Sequence, residues 1–160
     1  IALAHGFCIG GATSLVSACD IRLATKDAKF SIGETKLGLV ADVGVIQRMP
    51  KIVSSGDMNE LALTGRIFDG EHAEKIRFVS KAYGNSDELF EAGEKLANEI
   101  SSNSKRIVQA TKEAIEKSSN LTVDQGLEYA KLWSTSFLVS EDLREGVMAF
   151  LEKRDPKFNE

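Results

Sequence analysis

Apolar and polar positions along this chain follow two regimes. In the first part, short apolar runs alternate with glycine-rich or polar breaks. "IALAH" is such a run, closed by Gly6, and it predicts a strand. "GFCIGGA" predicts a glycine-rich turn. Thr13 to Cys19 predicts a helix with Leu15, Val16 and Cys19 on one side. "DIRLAT" and "AKFSIGE" predict two more strands, and Asp57 to Thr64 a short helix. "RIFDGEHAEKIRFVSKAYG" predicts an extended piece, a helical turn and a second extended piece. A strand, a glycine turn and a helix in succession make an α/β unit.

After Asn85 the period becomes helical. Leu89, Gly93, Leu96 and Ile100 share one stripe, and Ile107, Thr111 and Ala114 another. Val123, Leu127, Ala130 and Ser134 form a weaker stripe beside Trp133 and Phe137. Leu143, Val147, Phe150 and Leu151 form the last. Ser86 before Asp87 and Glu88 predicts a helix N-cap with acids on the first turn. Such stripes pack in a core or between subunits. The expected layout is a sheet-containing part, residues 1–85, and a helical part, residues 86–160, within one domain.

Composition narrows the class. The 160 residues, 42% hydrophobic, suffice for one sizeable core. A net charge of −4, with bases spread among acids, offers no broad basic face to nucleic acid. Cys8 and Cys19 have no metal or redox spacing and read as reduced thiols of an intracellular protein. No apolar run approaches membrane-spanning length. Ile1 is not a methionine, and an apolar strand at a free terminus lacks edge partners, so upstream residues are expected.

The candidate chemistry lies in two short stretches. Gly10 and Gly11 stand where a helix begins, where N–H groups are unpaired and a ligand oxygen can approach closely. That suits an oxyanion hole, or simply a tight turn with close packing. "KLGLVADVGVIQR" sets Asp42 alone among apolar residues. Either Asp42 points to solvent at a bend or it is partly buried for a reason, since burial raises a carboxylate's pKa toward the range useful for proton transfer. Glu34 lies eight residues earlier. His5 and His72 follow no ligand spacing, so no metal site is expected. Ser14 has no base arranged beside it and is a poor nucleophile.

The run "HGFCIGGATSLVSACDIRLATKDAKFSIGETKLGLVADVGVIQRMPK" resembles the enoyl-CoA hydratase/isomerase (crotonase) superfamily, and the likeness extends through "ELALTGRIFDGEHA" to "EGVMAFLEKRDPKF". "CDIR", the Glu–Asp spacing of eight and "QRMPK" together are most similar to its dienoyl-CoA isomerase branch. The resemblance implies an α/β fold, a crotonase-like spiral of ββα turns of which this chain holds the larger C-terminal part. A helical region used for trimer or hexamer assembly would follow. It implies a fatty acyl-CoA substrate with no separate cofactor, the CoA being part of the substrate. The thioester oxygen would meet the Gly11 N–H beside Gly10, and a second donor on a loop preceding Ile1. A chain beginning at Ile1 is therefore expected to be inactive alone.

In that branch the two proton-transfer acids fall on Glu34 and Asp42, and a third acid falls on Ser14. Hydratases place their first catalytic glutamate there too, so Ser14 argues against hydration. The expected reaction is 3,5-dienoyl-CoA to 2,4-dienoyl-CoA, as in fatty acid β-oxidation. The alternatives are a Δ3,Δ2-enoyl-CoA isomerase, an enoyl-CoA hydratase or a non-catalytic fragment. Phe150 and Lys153 match a terminal-helix aromatic and lysine near the CoA site. Arg77 replaces a glycine that ends a short helix in many relatives, so the local turn is expected to differ. Mitochondrion, peroxisome or bacterial cytoplasm all fit.

Overall fold

The computed structural model describes residues 1–158. Contacts divide the chain into two units, 1–95 and 96–160, the division falling inside one helix. The first unit opens with strands β1 (Ala2–Ala4) and β2 (Phe7–Ile9), then helix α1 (Gly11–Ser17), β3 (Arg22–Thr25) and β4 (Lys29–Ser31). A 3-10 turn at Gly33–Leu37, α2 (Val45–Arg48), a second 3-10 turn at Met49–Lys51 and α3 (Ser55–Thr64) follow. Then come β5 (Phe68–Asp69), α4 (Gly70–Lys75), β6 (Lys81–Tyr83) and α5 (Ser86–Ser101).

Successive strands are dealt to two sheets. One has the order β1-β3-β6, all parallel, and the other β2-β4-β5, with β2-β4 parallel and β4-β5 antiparallel. Each parallel pair needs a crossover, and the intervening ββα turns supply it. "GFCIGGA" is thus a strand before it is a turn. Strand hydrogen bonding to β4 claims Phe7–Ile9 and leaves only Gly10 to bend.

The core of this unit centres on Phe30, Phe68 and Phe78, with ring centroids 5.5 to 6.1 Å apart. Gly70 crosses the Thr25 backbone so closely that a Cβ would lie 1.9 Å from the Thr25 carbonyl oxygen. The face of α1 turned to the core carries Thr13, Ser14, Val16 and Ser17, while Leu15 is exposed. The expected apolar side of this helix is therefore mostly small and polar. Thr13 and Ser17 meet carbonyl oxygens of Cys8 and Ser14 instead.

The N-cap of α5 is Asn85, not Ser86. Asn85 Oδ1 accepts the Glu88 N–H at 2.9 Å, and Glu88 reaches back to Asn85 Nδ2 and the Gly84 N–H. Leu89 and Gly93 face inward, and a Cβ on Gly93 would lie 2.6 Å from Leu3 Cδ1.

The second unit holds the end of α5, then α6 (Lys105–Ser118), α7 (Val123–Phe137) and α8 (Glu141–Glu152). Ser104 caps α6 and donates to Asp142 on the first turn of α8 at 2.6 Å. Tyr129 donates to Glu113, tying α7 to α6. These helices border an open apolar cavity of about 860 Å³ lined by Ile107, Ala110, Trp133, Phe137 and Val147. Among the described residues no helix is long and apolar enough to cross a membrane.

Candidate active site

Parallel pairing fixes the site. Ile9 of β2 stands opposite Ser31 of β4, and the Gly10 N–H donates to the Ser31 carbonyl at 2.8 Å. The chain bends at Gly10 with φ 57° and ψ −118°, a conformation that favours glycine, and α1 starts at once. Thr13 locks the bend by donating to the Cys8 carbonyl and accepting the Ser31 N–H at 3.4 Å. Thr13 was not singled out by sequence pattern. Its only signal is a hydroxyl on the first turn after two glycines.

Three residues past β4, this register delivers Glu34 to the same bend. Glu34 Oε1 lies 3.4 Å from where a Gly10 Cβ would be. Glu34 Oε2 is buried and, among the described residues, has no hydrogen-bond partner. The segment under Glu34 is anchored on both sides. Thr35 donates to the Ala62 carbonyl, Ser31 Oγ to the Gly65 carbonyl at 3.0 Å, and the Leu39 N–H to the Glu34 carbonyl at 3.0 Å. Beside Gly11 the space is open, with no atom of the described residues within 4 Å of an added Cβ. The first-turn N–H groups of α1 have no intrahelical acceptor. Cys8, on β2, is buried beside the bend. Burial pushes its thiol pKa up, which disfavours a thiolate nucleophile.

Of the two settings open to Asp42, solvent-facing or partly buried, the structure has the first: it is exposed. Ala41 and Val45 take the inward positions of this segment. Leu39, Val40, Asp42 and Val43 take the outward ones, Val40 being 79% exposed. The apolar run around Asp42 is thus an apolar surface. Gly44, with φ 93°, then turns the chain into α2.

Ser14, where the resemblance would place a third acid, is fully buried, and among the described residues its Oγ has no hydrogen-bond partner. Its carbonyl accepts from Arg48 Nη2 at 3.1 Å. Arg77 corrects another expectation. It adopts φ 65° after α4, its N–H donating to the Glu74 carbonyl at 3.0 Å, so the left-handed turn is kept without glycine. Phe150 and Lys153 belong to the second unit. Phe150 is 83% exposed on α8, and Lys153 ends that helix in a left-handed conformation with φ 54°.

The whole chain, residues 1–160, matches the sequence profile of a family described as enoyl-CoA hydratase/isomerase. It is 49% identical over 158 residues to a mitochondrial Delta(3,5)-Delta(2,4)-dienoyl-CoA isomerase of Dictyostelium discoideum, covering 99% of this chain and 54% of that protein. A peroxisomal protein of the same description from Arabidopsis thaliana is 44% identical over 158 residues, covering 99% and 57%. An enoyl-CoA hydratase structure from Bacillus anthracis superposes with a TM-score of 0.92 at 32% identity, over 96% of this chain and 59% of that one. The chain spans about half the length of the curated relatives it matches.

Proposed function

Because the chain belongs to the enoyl-CoA hydratase/isomerase family, we propose that the protein moves double bonds in fatty acyl-CoA thioesters, converting 3,5-dienoyl-CoA to 2,4-dienoyl-CoA. The observation that carries this reading is the Glu34 carboxylate. One of its oxygens lies beside Gly10, and the other is buried without a partner among the described residues. A buried oxygen that holds no part of the fold together is available to exchange a proton with a ligand.

In this reaction the thioester oxygen accepts the Gly11 N–H, which stabilises the charge that develops there. Asp42 removes a proton from C2, and the electron pair spreads over the thioester oxygen and both double bonds. Glu34 delivers a proton to C6, and the 2,4-diene forms. C2 and C6 are separated by both double bonds, beyond the hydrogen-bond reach of one fixed carboxyl group. The acyl chain lies along Leu39, Val40 and Val43, and thereby covers Asp42, which the chain alone leaves exposed. Ser14 favours isomerisation over hydration, because a buried neutral hydroxyl replaces the carboxylate that would hold a water. Lys153 meets a CoA phosphate as a point charge, with Phe150 packed beside it or against a neighbouring subunit. The protein works as a trimer or hexamer in fatty acid β-oxidation, in a mitochondrion, a peroxisome or the bacterial cytoplasm.

The test is turnover of three substrates by the full-length protein and two variants. Glu34→Gln and Asp42→Asn should each lower 3,5-dienoyl-CoA turnover by about 100- to 10,000-fold. With a 3-enoyl-CoA, where one acid can shuttle the proton, one of the two variants should be much milder. Faster hydration of a 2-enoyl-CoA than dienoyl isomerisation, or near-normal dienoyl turnover by either variant, would overturn the assignment.

A further inference from the structure

The "QR" of "VIQRMPK" has no part in the chemistry above, yet Arg48 reaches across the site. Arg48 Nη2 donates to the Val43 carbonyl at 2.6 Å and to the Ser14 carbonyl at 3.1 Å, and Nε donates to Ser17 Oγ at 3.2 Å. One planar guanidinium thereby joins the residue next to Asp42 to helix α1, whose first residue is Gly11. All three acceptors are neutral, so the fork is occupied by atoms that fix position rather than by a carboxylate. Gly44 makes room for it: a Cβ there would lie 2.4 Å from Arg48 Nη1, and φ at Gly44 is 93°. Glu34 has separate anchors, through Thr35 to Ala62 and through Ser31 to Gly65. Beyond the Leu39 N–H bond to the Glu34 carbonyl, little else holds the exposed Asp42 segment, since of residues 39–43 only Ala41 is buried.

We infer that Arg48 is the positioning residue of Asp42: it sets the distance from that carboxylate to the substrate carbon next to the thioester bound at Gly11. The inference rests on the two-carboxylate reading above. Arg48 touches neither substrate nor the reacting atoms. It acts by holding the Val43 carbonyl against α1, so its removal leaves Asp42 chemically intact but misplaced. Small misplacements of a catalytic group are costly, up to about 100-fold for 1 Å. A lysine carries the charge but not the planar fork, and cannot bridge all three acceptors.

The experiment is a double-mutant cycle on the full-length protein with a 3,5-dienoyl-CoA. Arg48→Gln and Arg48→Lys should lower kcat by about 10- to 100-fold while KM moves less than about threefold. In an Asp42→Asn background, Arg48→Gln should add less than about a threefold loss, because its effect passes through the missing carboxylate. Unchanged kcat in Arg48→Gln, or an equal loss in both backgrounds, overturns the inference. Should the Arg48 variants fail to fold, Ser17→Ala removes one acceptor and leaves the fold; it should lower kcat by about two- to fivefold, and only while Asp42 is present. Unchanged kcat in Ser17→Ala would overturn it as well. Near-normal turnover by Asp42→Asn alone marks the different failure, that of the two-carboxylate reading.

Discussion

At Arg77 the chain holds a residue where its backbone favours glycine. With φ at 65°, the side chain bears the left-handed penalty that glycine escapes, on the order of 1 kcal/mol. Arg77 is exposed and follows α4, so removing its side chain leaves no cavity. Arg77→Gly is expected to raise stability by about 0.5–1 kcal/mol, offset in part by the greater freedom of glycine in the unfolded chain. Denaturant unfolding checks it, and a loss of stability would mean that the arginine makes a compensating contact. Asp42 shows what one residue's setting does not reveal. Its apolar neighbours read equally well as a core or as an uncovered surface, and the choice is made by which positions, here Ala41 and Val45, the rest of the unit covers. Glu34 was legible from its spacing to Asp42. Its approach to Gly10 was not, because it depends on the parallel register of β2 with β4.

At the scale of elements, the cap of α5 decides between two neighbours. Asn85 Oδ1 receives the Glu88 N–H and Glu88 closes the box from the other side, so Asn85→Ala should cost about 1 kcal/mol. Ser86→Ala should cost a few tenths at most. A thermal melt showing the reverse order would restore Ser86 as the cap. Helical stripes were legible because a period of 3.6 persists over many residues, whereas a cap is set one residue at a time. Strands of two or three residues, such as β5, carry too little pattern for their sheet or direction to be read. The end of α8 offers a pH test. The Arg154 guanidinium, and then the Lys157 N–H, hold the Glu145 carboxyl down at about 2. A folded value below the unfolded one of about 4.3 contributes stability above that pH, lost as pH falls from there toward 2. The group is on a screened surface, so the effect is small. Melting curves at neutral pH and near pH 3 should differ less in Glu145→Gln than in the parent, and an equal difference would discount the pair.

For the whole molecule, the apolar faces of α7 and α8 are the feature that one chain does not use. Val123, Leu127, Leu132, Leu138 and Val139 are exposed on or just after α7, and Leu143, Val147, Phe150 and Leu151 on α8. Single exposed leucines need no explanation, but rows of them on adjacent helices exceed what a soluble monomer ordinarily presents. The same helices carry well-formed caps: Thr122 and Gln125 make a reciprocal capping box on α7, and Ser140 caps α8. Their helicity therefore does not depend on a partner, while the burial of their apolar faces does. Closed symmetric assembly is the usual way to bury such faces. The full-length protein is accordingly expected to be a trimer or hexamer at micromolar concentration, and Val147→Glu with Leu151→Glu should shift it toward smaller species without loss of helix content. Light scattering on both proteins, with circular dichroism as the check on folding, reads the outcome. A well-folded monomer of the parent protein would show that these faces serve something other than self-assembly.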